Sequence, residues 1–239
     1  MRRGDGRPGL EIFAAAAIAL AAIGCVDDLD PPWQLDHDRI VAVRATPPAI
    51  EPGGRAAIDA LIALEGGTTS ERAPELATVV SPKALAGAVA PEAGAWIATA
   101  PGAAKLDEAR AELGLPPGAP VPLVVGVSYE GRALFATKVV WLGRAGANPS
   151  LDAMTIDGAP ADAQAEIVVG KLVDVPLSIA AEADDDVNWL TSCGTMHDFD
   201  LPQAYLRVEA EDPAAGELAV VRRDPLGGVA WRVWPIRAE

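Results

Sequence analysis

The chain has 239 residues, 50% of them hydrophobic, and 19 basic against 34 acidic residues give a formal net charge of −15. That balance excludes a chain that meets nucleic-acid phosphates with a basic face, and one held to anionic lipid by a polybasic patch. The apolar half suffices for packed cores, and two cysteines cannot build a disulfide framework.

The most specific signal comes first. Arg2, Arg3 and Arg7 make a positive start, and an uncharged apolar run follows from Ile12 to Ile23. A membrane-spanning helix needs about 20 residues at 1.5 Å rise, so this run is short for a span and reads as the core of a secretory signal. It ends in Ala22-Ile23-Gly24-Cys25. This segment resembles the lipobox of bacterial lipoproteins, with Ala22 where that box more often has Leu and Ile23 where a smaller residue is commoner. The resemblance implies a signal peptide over residues 1–24, cleavage between Gly24 and Cys25, and covalent lipid on Cys25, palmitate included. Each buried CH₂ of such chains contributes about 0.8 kcal/mol to anchoring, so the membrane is the first expected partner. Val26 occupies the place where Asp marks inner-membrane retention in enterobacterial lipoproteins. The resemblance therefore implies the outer membrane, facing the periplasm or the surface. After cleavage the chain would carry 215 residues and a net charge of −16.

Residues 25–38, with Asp27, Asp28, Asp30 and Pro31-Pro32, read as an acidic tether. His37 lies within it between two Asp, and with only two His in the chain a site needing three histidines is excluded. Period-two alternation then announces strands. Val41, Val43 and Ala45 share one face, and Ala56, Ile58, Ala60, Ile62 and Leu64 share another, with Asp59 opposite them. Gly66-Gly67-Thr68-Thr69-Ser70 reads as a loop, and residues 71–101, broken by four prolines, show no period. Leu106, Ala109, Arg110 and Leu113 fall at helical spacing before Gly114, which predicts a short helix over 103–113. Val121 to Tyr129 and Ala133 to Trp141 alternate around Glu130-Gly131 as a hairpin. Residues 144–149 read as a linker.

The second half repeats the scheme. Met154 and Ile156 open it; Val173, Val175, Leu177 and Ile179 share a face; Val187, Trp189 and Thr191 form a central strand. Ala204 to Ala210 alternate, and a last hairpin turns at Asp224-Pro225-Leu226-Gly227-Gly228. Trp189, the following Ser192-Cys193-Gly194-Thr195-Met196 and the closing hairpin resemble bacterial immunoglobulin-like modules. The resemblance implies Trp189 as a core marker. The expected architecture is all-β: two tandem immunoglobulin-like β-sandwiches over 39–143 and 150–239, after a cleaved lipoprotein signal peptide, with one short helix in the first.

Candidate chemistry is sparse. Cys193 and His197 supply a thiol and an imidazole, the parts of a nucleophile site or of a metal site; the alternative is a small buried Cys. Asp184, Asp185, Asp186, Asp198 and Asp200 supply hard oxygen ligands of the kind Ca²⁺ takes, the alternative being solvated loops. Trp231 and Trp234 face opposite sides of a strand, so one could stack on a sugar or on a neighbouring domain. No nucleophile elbow, zinc-protease helix motif or phosphate-binding glycine loop is present. The sequence therefore points to a non-enzymatic envelope lipoprotein acting as a structural or interaction module. A Ca²⁺-stabilised adhesion or glycan-binding module, and an enzyme using Cys193, are the alternatives. No nucleic-acid partner and no cofactor beyond the lipid or Ca²⁺ is expected.

Overall fold

Alternation in the sequence becomes strand in a computed structural model that describes residues 30–239 other than 130, 132, 162 and 163. The first half runs β1 (Arg39–Thr46), β2 (Ala49–Ile50), β3 (Arg55–Leu64), β4 (Thr68–Arg72), β5 (Leu76–Ser81), β6 (Val89–Glu92), β7 (Ala95–Thr99), helix α1 (Ala103–Leu113), β8 (Val121–Tyr129) and β9 (Leu134–Leu142). Its strands form one sheet in the order β1-β3-β7-β6, with β4 also on β3, and a second in the order β2-β9-β8-β5. The second half runs β10 (Thr155–Ile156), β11 (Ala159–Pro160), β12 (Ile167–Val169), β13 (Asp174–Ser178), β14 (Asp186–Thr191), β15 (Thr195–His197), β16 (Gln203–Arg207), β17 (Ala215–Arg223) and β18 (Val229–Ala238). Its sheets are β11-β10-β13-β16-β15 and β12-β18-β17-β14.

The two strand orders superpose. β1, β3, β7 and β6 correspond to β10, β13, β16 and β15, and β2, β9, β8 and β5 correspond to β12, β18, β17 and β14. In both halves the short strand at the sheet edge, β2 or β12, runs parallel to the last long strand while the other pairs are antiparallel. This is the immunoglobulin-like order, in which the opening strand is shared between two sheets. The fold is an all-β sandwich fold with one short helix.

Each sandwich has its own core. The first draws on Ala56, Ile58, Ala60 and Ile62 of β3 and on Val121, Leu123, Val125 and Val127 of β8. Helix α1 adds Leu106 and Ala109 to it and ends at Gly114, whose positive φ of +67° makes a left-handed cap. The second core centres on Trp189, with Leu177, Leu206, Val220 and Trp234 around it.

Four expectations need correction. The segment Gly66 to Ser70 is not all loop: from Thr68 it forms β4, because its backbone pairs with β3 from Ala60 to Leu64. Val41 does not share a face with Val43, because β1 shifts register between Ile40 and Ala42, and such a bulge re-aims the side chains beyond it. Val173 is exposed, one residue before β13 begins, while Val175, Leu177 and Ile179 are buried. The tether is no tether from Pro31 onward. The N–H of Leu35 donates to Thr191 O at 3.0 Å, and the N–H of Thr191 donates to Trp33 O at 2.9 Å. Trp33 packs on the second core and Leu35 is fully buried, so apolar side chains seat a segment that its prolines and acids had marked as a spacer.

Candidate functional site

Gly24 and Cys25 lie outside the described residues. Cys193 is fully buried; its N–H donates to Thr191 Oγ1 at 3.0 Å and its thiol donates to Pro213 O at 3.0 Å. Burial pushes the thiol pKa up, Asp212 adds to the rise and Lys171 opposes it. A thiol held protonated and away from water is a poor nucleophile. His197 stacks on Tyr205 instead, with ring centroids 4.4 Å apart and planes 9° from parallel.

The five Asp residues do not converge. The Asp185 side chain, 3% exposed, meets Arg222, with Nη2 at 2.5 Å and Nε at 2.7 Å from Oδ2, which also accepts the N–H of Glu182. Its charge is thus neutralised by a guanidinium, which leaves it unsuited to a cation. Asp186 opposes Arg223 in the β14–β17 register, and Asp198 turns the chain toward β16 with its carbonyl accepting the N–H of Leu201. Among the described residues no group of three or more His, Cys, Asp or Glu is placed to hold a metal ion. Trp189 is fully buried at the centre of the second core, and Trp234 packs beside it. Trp231 is 6% exposed and lies on the opposite face of β18, so neither tryptophan of that strand is a platform for sugar.

Trp231 marks the arrangement that does bring distant residues together. A third apolar cluster joins Ala42, Leu61 and Ala63, on the outer face of β1 and β3, to Leu190, Ala219, Val221, Val229 and Trp231, on the outer face of β14, β17 and β18. Leu35 is sealed into the same cluster. The Arg44 guanidinium lies 3.8 Å from the Trp231 ring centroid while its Nη2 pairs with Asp59 at 2.7 Å. A cation over indole is stabilising, and the paired carboxylate holds it in place.

Polar links surround this cluster. Arg223 Nη2 donates to Val41 O at 2.8 Å, Lys138 Nζ donates to Gly227 O at 2.5 Å, and Ser192 Oγ donates to Gly67 O at 2.5 Å. Asn148 does both jobs: its Nδ2 donates to Ala45 O at 3.0 Å and its Oδ1 accepts the Val229 N–H at 2.9 Å. The linker is therefore bonded to both sandwiches. Burial pulls the Lys138 pKa down to about 8, with Asp224 opposing the fall and Arg223 adding to it. Burial also lowers that of Arg223, against the pull of Asp186.

Sequence reasoning missed this junction. Its signal was present in β3, where Leu61 and Ala63 interrupt the polar face that Asp59 begins, and in β18, where Val229, Trp231 and Val233 form an apolar row opposite the core row of Trp234 and Ile236.

No family model matches this chain, and no curated protein matches it. Among solved structures, a chimeric titin Z1Z2 tandem functionalised with a GRGDS peptide from fibronectin is 14% identical, with 85% of this chain and 100% of that one covered and a TM-score of 0.29. The N-terminal Ig1-2 module of the Drosophila receptor protein tyrosine phosphatase DLAR is 11% identical over 84% of this chain and 98% of its own, with a TM-score of 0.30. A nucleoside hydrolase-related hypothetical protein from Saccharophagus degradans is 12% identical over 36% of this chain, with a TM-score of 0.29, and the chain spans 25% of its length. The immunoglobulin-like assignment rests on the strand order of both sandwiches and not on these superpositions.

Proposed function

We propose that this chain is a lipid-anchored protein of the bacterial outer membrane whose two immunoglobulin-like sandwiches act together as one non-enzymatic interaction module. The anchoring half of this reading is supported by the arginine-led apolar run that ends at Gly24-Cys25. Among the described residues no helix is long and apolar enough to cross a membrane. The interaction half is supported by the junction, the single observation that carries it. A fully buried aliphatic side chain contributes about 1.5–3 kcal/mol, and the junction buries several of them between the sandwiches. Two sandwiches locked in this way present their loops and faces in fixed relative positions, which suits recognition better than a flexible string would. The buried Cys193 thiol and the stacked His197 speak against a nucleophilic site.

The deciding experiment is mass spectrometry of the N-terminal peptide from the membrane fraction. A di- or triacylated Cys25 is expected, together with release of Cys25→Ala into the soluble fraction. A plain terminus or an intact signal would overturn the anchoring.

A further inference from the structure

The junction contains one buried side chain that belongs to neither sandwich. Leu35 alone in its apolar cluster comes from the segment before β1, and it is fully buried there. The segment that carries it is held lightly. Two backbone hydrogen bonds tie it to β14: the Leu35 N–H donates to Thr191 O, and the Thr191 N–H donates to Trp33 O. A third, from the Gln34 N–H to Pro31 O at 3.0 Å, is internal to the segment's own turn. Gln34 thus bridges to Thr191 in parallel at the edge of β14, the last strand of its sheet. Trp33 rests partly buried on the second core. Beyond Leu35 the segment crosses to the first sandwich, where Asp38 Oδ1 accepts the Glu65 N–H at 2.7 Å. The neighbouring strands are held by far longer ladders. β1 pairs with β3 from Arg39–Ala63 to Thr46–Ala57, and β17 with β18 from Ala215–Arg237 to Arg223–Val229. In the first sandwich β5, the counterpart of β14, also ends its sheet, yet the outer face there is left open, with Phe135 76% exposed.

We propose that residues 31–38 are a tension-sensitive latch on the junction. Load that enters from the N-terminal side meets this segment before it meets β1, and a few hydrogen bonds at a sheet edge yield before a full ladder does. Once peeled, the segment takes Leu35 with it. The cavity left behind weakens the apolar contact between the sandwiches, because neither of them has a side chain to replace it. Each sandwich stays folded, since the buried members of the two sandwich cores include no residue of the segment. The linker and its Asn148 bonds keep the two halves joined. When the load falls, the segment re-docks as its own tethered ligand, at high effective concentration. A pull between membrane and partner is thereby converted into a change from one rigid body to two. The latch takes its source of load from the anchoring reading above and rests on it there, but the latch itself works without lipid.

The test is force spectroscopy of the full chain in unacylated form, with one handle on the Cys25 thiol and the other on a tag after Glu239. Cys193, fully buried, stays unlabelled. The expected result is a reversible lengthening of less than about 30 Å, the most that residues 31–38 release at ~3.3–3.6 Å each. It should come at lower force than the steps of roughly 300 Å in which the sandwiches unfold. Leu35→Ala should speed this opening at least about tenfold. In a Cys25→Ser background, a handle at Asp36→Cys, past Leu35, should abolish the step. The effect on the junction is read without force. Spin labels at Val80→Cys and Leu172→Cys, one exposed position on each sandwich, should give a narrow distance distribution in the parent and a broad one in Leu35→Asp. The absence of a step before sandwich unfolding overturns the proposal, as does a step indifferent to Leu35→Ala or a distribution that stays narrow in Leu35→Asp. A Leu35→Asp chain without the parent's strand signal in circular dichroism also overturns it, because a latch requires sandwiches that stand without Leu35. None of these readings involves the acyl mass on Cys25, so failure here is distinguishable from failure of the anchoring.

Discussion

In the second sandwich, β14 brings Trp189 to the centre of the core; in the first, β5 offers only Ala77 and Val79 toward the interior. The first sandwich fills its centre from elsewhere. Leu85, from the short turn after β5, and Leu106 and Ala109 of α1 pack into it, and Arg110 closes the helix end with Nε donating to Ala119 O at 2.7 Å. One topology thus reaches native packing by two routes, a single large aromatic or an inserted helix. The outer faces differ in the same spirit. The sandwich with the large aromatic has its apolar outer face covered, and the sandwich with the helix leaves its own uncovered. Shared strand order fixes where a core and two faces must be; side-chain choice decides what fills the one and covers the other.

The largest expected effect comes from the route that has no backup. Trp189→Ala should destabilise by about 3–5 kcal/mol, read as a lower urea midpoint, because nothing nearby can collapse into the space. Leu106→Ala should cost less, toward the lower end of about 2–5 kcal/mol, because a surface helix can shift to close a gap. Equal or reversed costs would break the comparison of cores. Next comes the junction. Leu61 is fully buried yet lies outside both sandwich cores. Leu61→Ala should cost about 2–4 kcal/mol and broaden or split a single calorimetric transition, as the sandwiches lose their grip on each other. A narrow, unshifted transition would mean that the two units unfold independently already.

How much of this was legible in the sequence follows from what alternation can encode. The core rows of β3, β8, β14 and β16 were read directly, because large apolar residues recurring at every second position are what period two reports. The helix was legible through its spacing and Gly114. What escaped were the features that alternation hides. Where both faces of a strand are buried, as around Leu61 and Ile62, the pattern becomes a plain apolar run and says nothing about a second partner. A bulge at Val41 changes the phase of the row without changing composition. β5, β6 and β7 lie in the stretch where prolines and short strands leave too few positions to show a period, and β4 begins in a small, polar segment that reads as a loop. Trp33 and Leu35 were masked by their acidic and proline neighbours. Of the candidate site residues, Cys193 and Trp189 sit in the interior, and Asp185 is taken by Arg222, a contact between residues 37 positions apart.

A smaller effect probes the polar rim of the junction. The folded pKa of Lys138 is about 8, below its ordinary value of 10.5, so below pH 8 both folded and unfolded chains carry the charge and its burial weakens the fold. As pH rises from about 8 toward 10.5, the unfolded chain still binds a proton that the folded chain has released, and the contribution of Lys138 to stability rises. Tyr129 works the other way and later: burial raises its pKa from 10.0 to about 12, so it withdraws stability only above pH 10. Between pH 8 and 10 the parent should therefore gain about 2 kcal/mol relative to Lys138→Met, measured as urea midpoints at each pH. Parallel curves for the two chains would show that Lys138 is hydrated and that the junction is looser than its bonds to Gly227 and Asn148 imply.

The smallest effect is the sharpest on the two faces. Phe135 on β9 and Trp231 on β18 both stand on the outer face of the last long strand, one open and the other sealed. In a dilute, monomeric sample Phe135→Ser should change stability by less than about 0.5 kcal/mol, as for any exposed position, whereas Trp231→Ser should cost several times that through lost packing and the lost contact of the Arg44 guanidinium with the indole ring. The contrast also separates covering within one molecule from covering by a second. A Phe135→Ser cost that is negligible at low protein concentration and grows as concentration rises marks a face that becomes buried only when copies meet, because stability gained by association follows mass action. A cost that is large and independent of concentration would mean that the face is already covered by its own chain, and the difference between the two sandwiches would then lie in their cores alone.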